Sequence, residues 1–380
     1  LKWARENGCN WDCFTFAAAA GHHDLDLLKW LRRSGCPWDP QAAAAAAASG
    51  SIEKLKRLRA NGCEWDHFSC ASAAEKGHIE VLKWLRENGC PLRETVFENA
   101  ATSGNIEMLE WLRDQGCPWD ESTASAAAAA GELKALEWLR ENDSPWTAET
   151  CVEAVSKRHI EVLKWAIENR CPYDEKVLAE AATIGDLDLL KWLREWGCPW
   201  TATTFIAAAK VGDMKVLEWL REQRCPWSDR ACVEAVKRGD LQLLKWLREK
   251  GYPLSGEVFA KAAGYGDIEI LEWLRENGCS WNGRVFWEAA EKGHVAVLDW
   301  AKQKGCPYLS FTGLMSFRSF GVIEWFLENA YKEIDEPRMC EAAVRNGKLE
   351  ALKWFKKHGR FVDRGGLCEV AADHGYLEML

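Results

Sequence analysis

The sequence predicts an all-α fold, an elongated solenoid of stacked antiparallel helix pairs lacking long β-hairpin fingers. Three observations predict it: one phrase recurs every 27 residues, each copy holds two short helical patterns, and neither pattern could bury its apolar face alone. The recurrence is clearest when Gly77 to Cys90 is set beside Gly266 to Cys279, which differ at few positions. The tryptophan of this phrase falls at Trp3, Trp30, Trp84, Trp111, Trp138, Trp165, Trp192, Trp219, Trp246, Trp273 and Trp300, with Arg57 filling the one gap. After Trp300 the register slips to Trp325 and returns at Trp354. The expected organisation is one array over residues 1–380, of about fourteen 27-residue units. It is regular to about residue 300, irregular over 301–346, and completed by final units over 347–380.

Within a unit each element has a local cause. The first helix of the unit ending at Trp111 is expected from Glu94 to Thr102, with Phe97, Ala100 and Ala101 on one apolar face. Gly104 supplies the left-handed residue that stops it. The second helix is expected from Ile106 to Gln115, with Ile106, Leu109 and Leu112 on one face, and Gly116 ends it. Cys117-Pro118-Trp119 forms the connector, because proline cannot extend a helix. Asp120 and Ser122 are expected to cap the next first helix. Helices joined by such short turns lie antiparallel.

Composition limits the function classes. The 380 residues are 48% hydrophobic, so burial is ample, and the net charge of −9 disfavours a polyanion as main partner. No apolar run approaches a membrane span, so no membrane partner is expected. The first residue is Leu1, and the chain stops at Leu380 short of the next tryptophan position, so the segment is expected to be cut from a longer array. Sixteen cysteines are spaced by the repeat rather than paired, which predicts free thiols and a reducing compartment, cytoplasmic or otherwise intracellular.

The units resemble the ankyrin-repeat family. The resemblance is carried by Ala73-Ala74, Gly77-His78, Glu80-Val81-Leu82, Trp84-Leu85 and Gly89-Cys90, and again by Ala289-Ala290, Gly293-His294 and Gly305-Cys306. The units are similar to the short variants reading Leu-Lys-Trp-Leu-Arg-Glu-Asn-Gly-Cys-Pro-Trp. They depart from the family's usual unit of about 33 residues in length, in lacking the Thr-Pro-Leu-His opening, and in placing Trp where Leu is usual. The resemblance implies a helical-pair solenoid that recognises other proteins.

The residues that could carry chemistry recur as lines, whereas an active site needs unique groups converging on one point. No enzyme activity, cofactor, metal or small-molecule substrate is expected. The helix tryptophans are expected to pack in the core or between units. The connector tryptophans (Trp11, Trp38, Trp65, Trp119, Trp146, Trp200, Trp227 and Trp281) are expected to clamp each turn onto the next unit. Cys63, His67, Cys70 and His78, or Cys9, Cys13, His22 and His23, have zinc-ligand residue types, but they arise from repeat positions that other units fill differently. The arginine stripe (Arg5, Arg32, Arg59, Arg86, Arg113, Arg140, Arg194, Arg221, Arg248, Arg275) could track a phosphate backbone, with the tryptophans stacking bases. That makes a nucleic-acid-binding repeat the alternative reading. An acidic residue follows most of these arginines, so a mutually paired, solvated edge is expected instead.

Recognition is expected where otherwise matching units vary. On the first helices, Val152, Ile184, Ile206, Val211, Val233, Tyr265 and Trp287 are the candidate partner-binding residues, an apolar strip with Tyr265 and Trp287 as anchors. The competing reading has the Val and Ile residues packing against adjoining helices. Glu153 with Lys157, Glu234 with Arg238, and Glu288 with Lys292 are expected as i, i+4 pairs. The partner expected is a protein.

Overall fold

The computed structural model describes residues 8, 10–21, 25–307, 314–329, 336–361, 366–376 and 378. Among them the regular structure is helical, without strands. Trp3 and Arg5, like Cys9, His22 and His23, lie outside the described residues.

The chain forms two compact units, Leu1–Trp200 and Thr201–Leu380. In the first, the first helices of successive layers (Cys13–Gly21, Pro40–Ala48, His67–Glu75, Glu94–Thr102, Glu121–Ala130, Ala148–Ser156 and Glu175–Ile184) pack directly on one another. Each is followed by its second helix, for example Ile106–Asp114 after Glu94–Thr102. The second unit repeats the plan with Ala202–Val211, Arg230–Lys237, Gly256–Tyr265 and Arg284–Lys292 as stacked first helices. After Gln303 its described residues include a 3-10 turn, Leu314–Ser316, ahead of the helix Phe320–Asn329.

Side-chain size explains the tight stacking of first helices. In Pro40–Ala48 the inward residues Ala42, Ala43, Ala46 and Ala47 are all fully buried, and a methyl lets helix backbones approach closely. The second helices contribute Leu82 and Leu85, Leu109 and Leu112, Leu271 and Leu274 and their equivalents to the same core.

Of the two caps expected, Asp120 caps its helix, whereas Ser122 lies inside Glu121–Ala130 and supplies the N–H that Asp120 accepts. The carboxylates of Asp39, Asp66, Asp120 and Asp174 accept a backbone N–H two residues on, at the start of a first helix. Asp186, Asp213, Asp240 and Asp267 do the same for second helices, reaching the N–H three residues on. Where histidine stands at that second position, the ring reaches back instead. His78 and His159 lie 3.1 Å from the carbonyls of Ala48 and Ala129 in the preceding layer. Gly131 shows why a glycine precedes. At φ +80° a side chain there is strained, and a Cβ would stand 2.5 Å from the His159 ring.

Candidate functional site

Two surfaces were marked by the sequence, the first-helix strip and the connector edge, and the structure places them differently. Among the strip residues, Val152 is buried. Ile184, also in the first unit, is half-buried, as are Ile206, Val211 and Val233 in the second. Tyr265 and Trp287 are the large exposed members, at 46% and 41% of their full accessibility. They lie on helices Gly256–Tyr265 and Arg284–Lys292, which stack directly. The Trp287 ring also meets Phe317, with centroids 5.4 Å apart.

Between these two helices lies a charged link that sequence reasoning missed. Lys261 Nζ donates to the Glu288 carboxylate at 2.9 Å, and Arg284 approaches the same group at 3.8 Å. Glu288 is almost wholly buried, so its charge is held by cations from two layers. The anticipated pair with Lys292 does not form, because Lys261 of the neighbouring helix is the partner in reach. Glu234 likewise meets Lys237 at 3.8 Å rather than Arg238, which approaches Asp240. The i, i+3 partner wins over i, i+4 at both this site and Lys83, which meets Glu80 at 3.0 Å.

The connector edge is built from aromatic clusters. The first-helix Phe97, its connector Trp119 and Trp138 of the next second helix form one, with Phe97–Trp119 at 4.6 Å and Trp119–Trp138 at 5.9 Å. Phe259, Trp281 and Trp300 form another, at 5.3 and 5.7 Å. The connector indole thus clamps one layer onto the next, as Trp11 does on Trp30 and Trp65 on Trp84. The helix tryptophans are half-buried between layers, and Trp138, Trp300, Trp325 and Trp354 are buried.

The arginine stripe is a correction to the expectation of paired charges. Arg32, Arg59, Arg140, Arg194 and Arg275 lie over the rings of Trp38, Trp65, Trp146, Trp200 and Trp281, at 3.9, 4.5, 4.8, 4.1 and 4.2 Å from the centroids. Arg113 pairs with its following acid, Asp114, at 3.2 Å. A guanidinium is weakly hydrated and gains from the face of an indole, so the stack prevails over an exposed ion pair. The signal was present in the sequence as an arginine six residues before each of these connector tryptophans.

The cysteines close the frame. Each of the connector thiols of Cys36, Cys63, Cys90, Cys117, Cys171, Cys225, Cys279 and Cys306 donates to a carbonyl 24 residues back, at the entry to the first helix of its own layer. These thiols are buried and none of them is in a disulfide. Burial pushes Cys117 and Cys198 up to about 12, and Cys279 and Cys306 up to about 11. Among the described residues no group of three or more His, Cys, Asp or Glu side chains is placed to hold a metal ion. Cys63, His67, Cys70 and His78 do not converge. His67 stacks on Phe68, while His78 faces Ala48. No helix among the described residues is long and apolar enough to cross a membrane.

Comparison with known proteins finds a match over part of the chain. The family model described as ankyrin repeats (many copies) matches residues 70–113. Among solved structures, the human ASB11 ankyrin repeat domain is similar at 21% identity, with a TM-score of 0.34, over 41% of this chain and 84% of that one. A search of curated proteins gives no match.

Proposed function

We propose that this chain, a member of the ankyrin-repeat family by its repeats, is a non-catalytic scaffold that binds a protein partner on its first-helix face. Ankyrin repeats generally mediate interaction between proteins, and that is the coarse ground for the reading. The observation that carries the finer reading is the exposure of Tyr265 and Trp287 on two directly stacked first helices. Large rings held at the surface of a rigid frame lose little conformational entropy on binding, which is why they dominate interface energetics. The half-buried Ile206, Val211 and Val233 extend the apolar character of the same helix row within the second unit. In the first unit Ile184 is half-buried in the same way, whereas Val152 is already covered and contributes less. The 27-residue layers are read as one array over residues 1–380, and its buried free thiols suit a reducing compartment.

Nucleic acid is not the favoured partner. Five stripe arginines are committed to indole faces within the fold, which leaves fewer to neutralise phosphates.

The test is affinity capture with the purified chain, followed by mass-spectrometric identification of what is retained. The double variant Tyr265→Ala/Trp287→Ala should lose at least tenfold in affinity for the captured protein while its helical circular dichroism stays intact. Retention of full affinity by the folded variant would refute the assignment of this face.

A further inference from the structure

A cavity of about 490 Å³ opens on the connector edge of the second unit, lined by Arg221, Arg224, Trp227, Lys250 and Tyr252, with Cys225, Pro226 and Gly251 completing its wall. The layer beside it inverts the sizes found in its neighbours. In the neighbouring layers of this unit a first-helix Phe precedes a connector Cys by twenty residues, as in Phe259 with Cys279 and Phe205 with Cys225. Here Cys232 stands on the helix and Tyr252 in the connector.

The buried Tyr252 ring inserts among Phe205 at 5.3 Å, Trp227 at 4.7 Å and Trp246 at 6.4 Å. Trp227 is left 45% exposed. In five layers the stripe arginine covers the connector indole, as Arg275 covers Trp281, but Arg221 makes no such contact with Trp227. Arg224 adds a second cation at a left-handed position (φ +58°) where most layers have glycine. Among the described residues Arg221, Arg224 and Lys250 make no ion pair or side-chain hydrogen bond. The neighbouring Glu222 and Glu249 do not line the cavity.

Three uncommitted cations beside an uncovered indole, on a chain of net charge −9, are a local exception. We infer that this cavity binds a phosphate monoester that carries a planar aromatic ring, with the ring against Trp227 and the phosphate held by Arg221, Arg224 and Lys250. Guanidinium groups match phosphate oxygens in bidentate geometry, and an indole face accepts a planar ring whatever its substituents. The size suits a small-molecule group. Such a monoester exists as a free mononucleotide or as a phosphotyrosine side chain. This site is independent of the first-helix face and of any protein bound there.

Titration calorimetry on the whole chain tests it with adenosine monophosphate and a phosphotyrosine-containing peptide as ligands. Inorganic phosphate, adenosine and the unphosphorylated peptide are the controls. At least one monoester should bind tenfold or more tightly than its own ring-only control and than inorganic phosphate, and the one that does identifies the source. Arg224→Gly, which restores the repeat's usual residue, and Trp227→Ala should each weaken that binding about tenfold with the circular dichroism unchanged. Neither monoester exceeding inorganic phosphate, or undiminished binding in both folded variants, would overturn the assignment.

Discussion

Two aromatic clusters of the second unit occupy the same positions of the repeat and end up differently. Around Phe259, the rings of Trp281 and Trp300 close on one another, the buried Cys306 stands at the repeat position of Tyr252, and Arg275 lies 4.2 Å over Trp281. Around Phe205, the slot of Cys306 is taken by Tyr252, whose ring stands between Phe205, Trp227 and Trp246. The first cluster is sealed, whereas the second leaves an indole and three cations facing solvent. The framework itself is indifferent to function. One exchange of a small residue for a large one, in a slot coupled to the next layer, decides whether an edge is closed or available.

The comparison is broken most directly at Tyr252. Replacing it by Cys removes a buried ring beside the small Cys232 and should cost ~1–3 kcal/mol in urea unfolding. Adding Cys232→Phe restores the usual Phe and Cys arrangement and should recover most of that loss. A double variant no more stable than Tyr252→Cys would show that the inverted pair is not what shapes this layer.

The two slots also differ in what they titrate. Burial raises the Cys306 thiol from 9.0 to about 11, and it raises Tyr252 above its ordinary value as well. The protonated thiol is the form the fold prefers, so the folded chain holds a proton between pH 9.0 and about 11 that the unfolded chain has released. That stability is complete below the lower value and is lost as pH rises through the upper. Melting temperature should therefore fall across this range, and Cys306→Ala should make the fall shallower. An identical pH profile in the variant would contradict the burial argument.

The smallest effect concerns the lid of the sealed cluster. Arg275→Ala should cost ~0.5–1 kcal/mol and shift tryptophan emission to the red as Trp281 is uncovered. Arg221→Ala, with no ring beneath it, should change stability by less than about 0.5 kcal/mol. Equal effects of the two would mean that the guanidinium stack contributes nothing.

Local elements were legible in the sequence because local rules govern them. The first helix Glu94–Thr102 follows from its apolar spacing and from Gly104, and its partner ends at Asp114, one residue before the Gln115 expected. The buried free thiols followed from a spacing too wide for bridges. Their hydrogen bonds to carbonyls 24 residues back did not, since these depend on how two helices of one layer lie together. Partner choice among charges failed for a related reason. Glu288 finds Lys261 across the helix interface, and no intrahelical rule foresees it. At the candidate binding face, residue identity flagged Tyr265 and Trp287, but identity alone could not separate them from Val152, which neighbours cover.

The reach of the interlayer ties has a consequence for how such a chain can change length. Thiol to carbonyl spans 24 residues and histidine ring to carbonyl spans 30, so each tie stays within a layer or reaches only the adjacent one. Excising a complete 27-mer re-creates every broken tie with an equivalent donor and acceptor. Removing a dozen residues strands both ends out of phase. Gain and loss of whole modules is therefore the mutation this architecture tolerates, and each such event would slide the Tyr252 cavity by one step relative to the chain's ends.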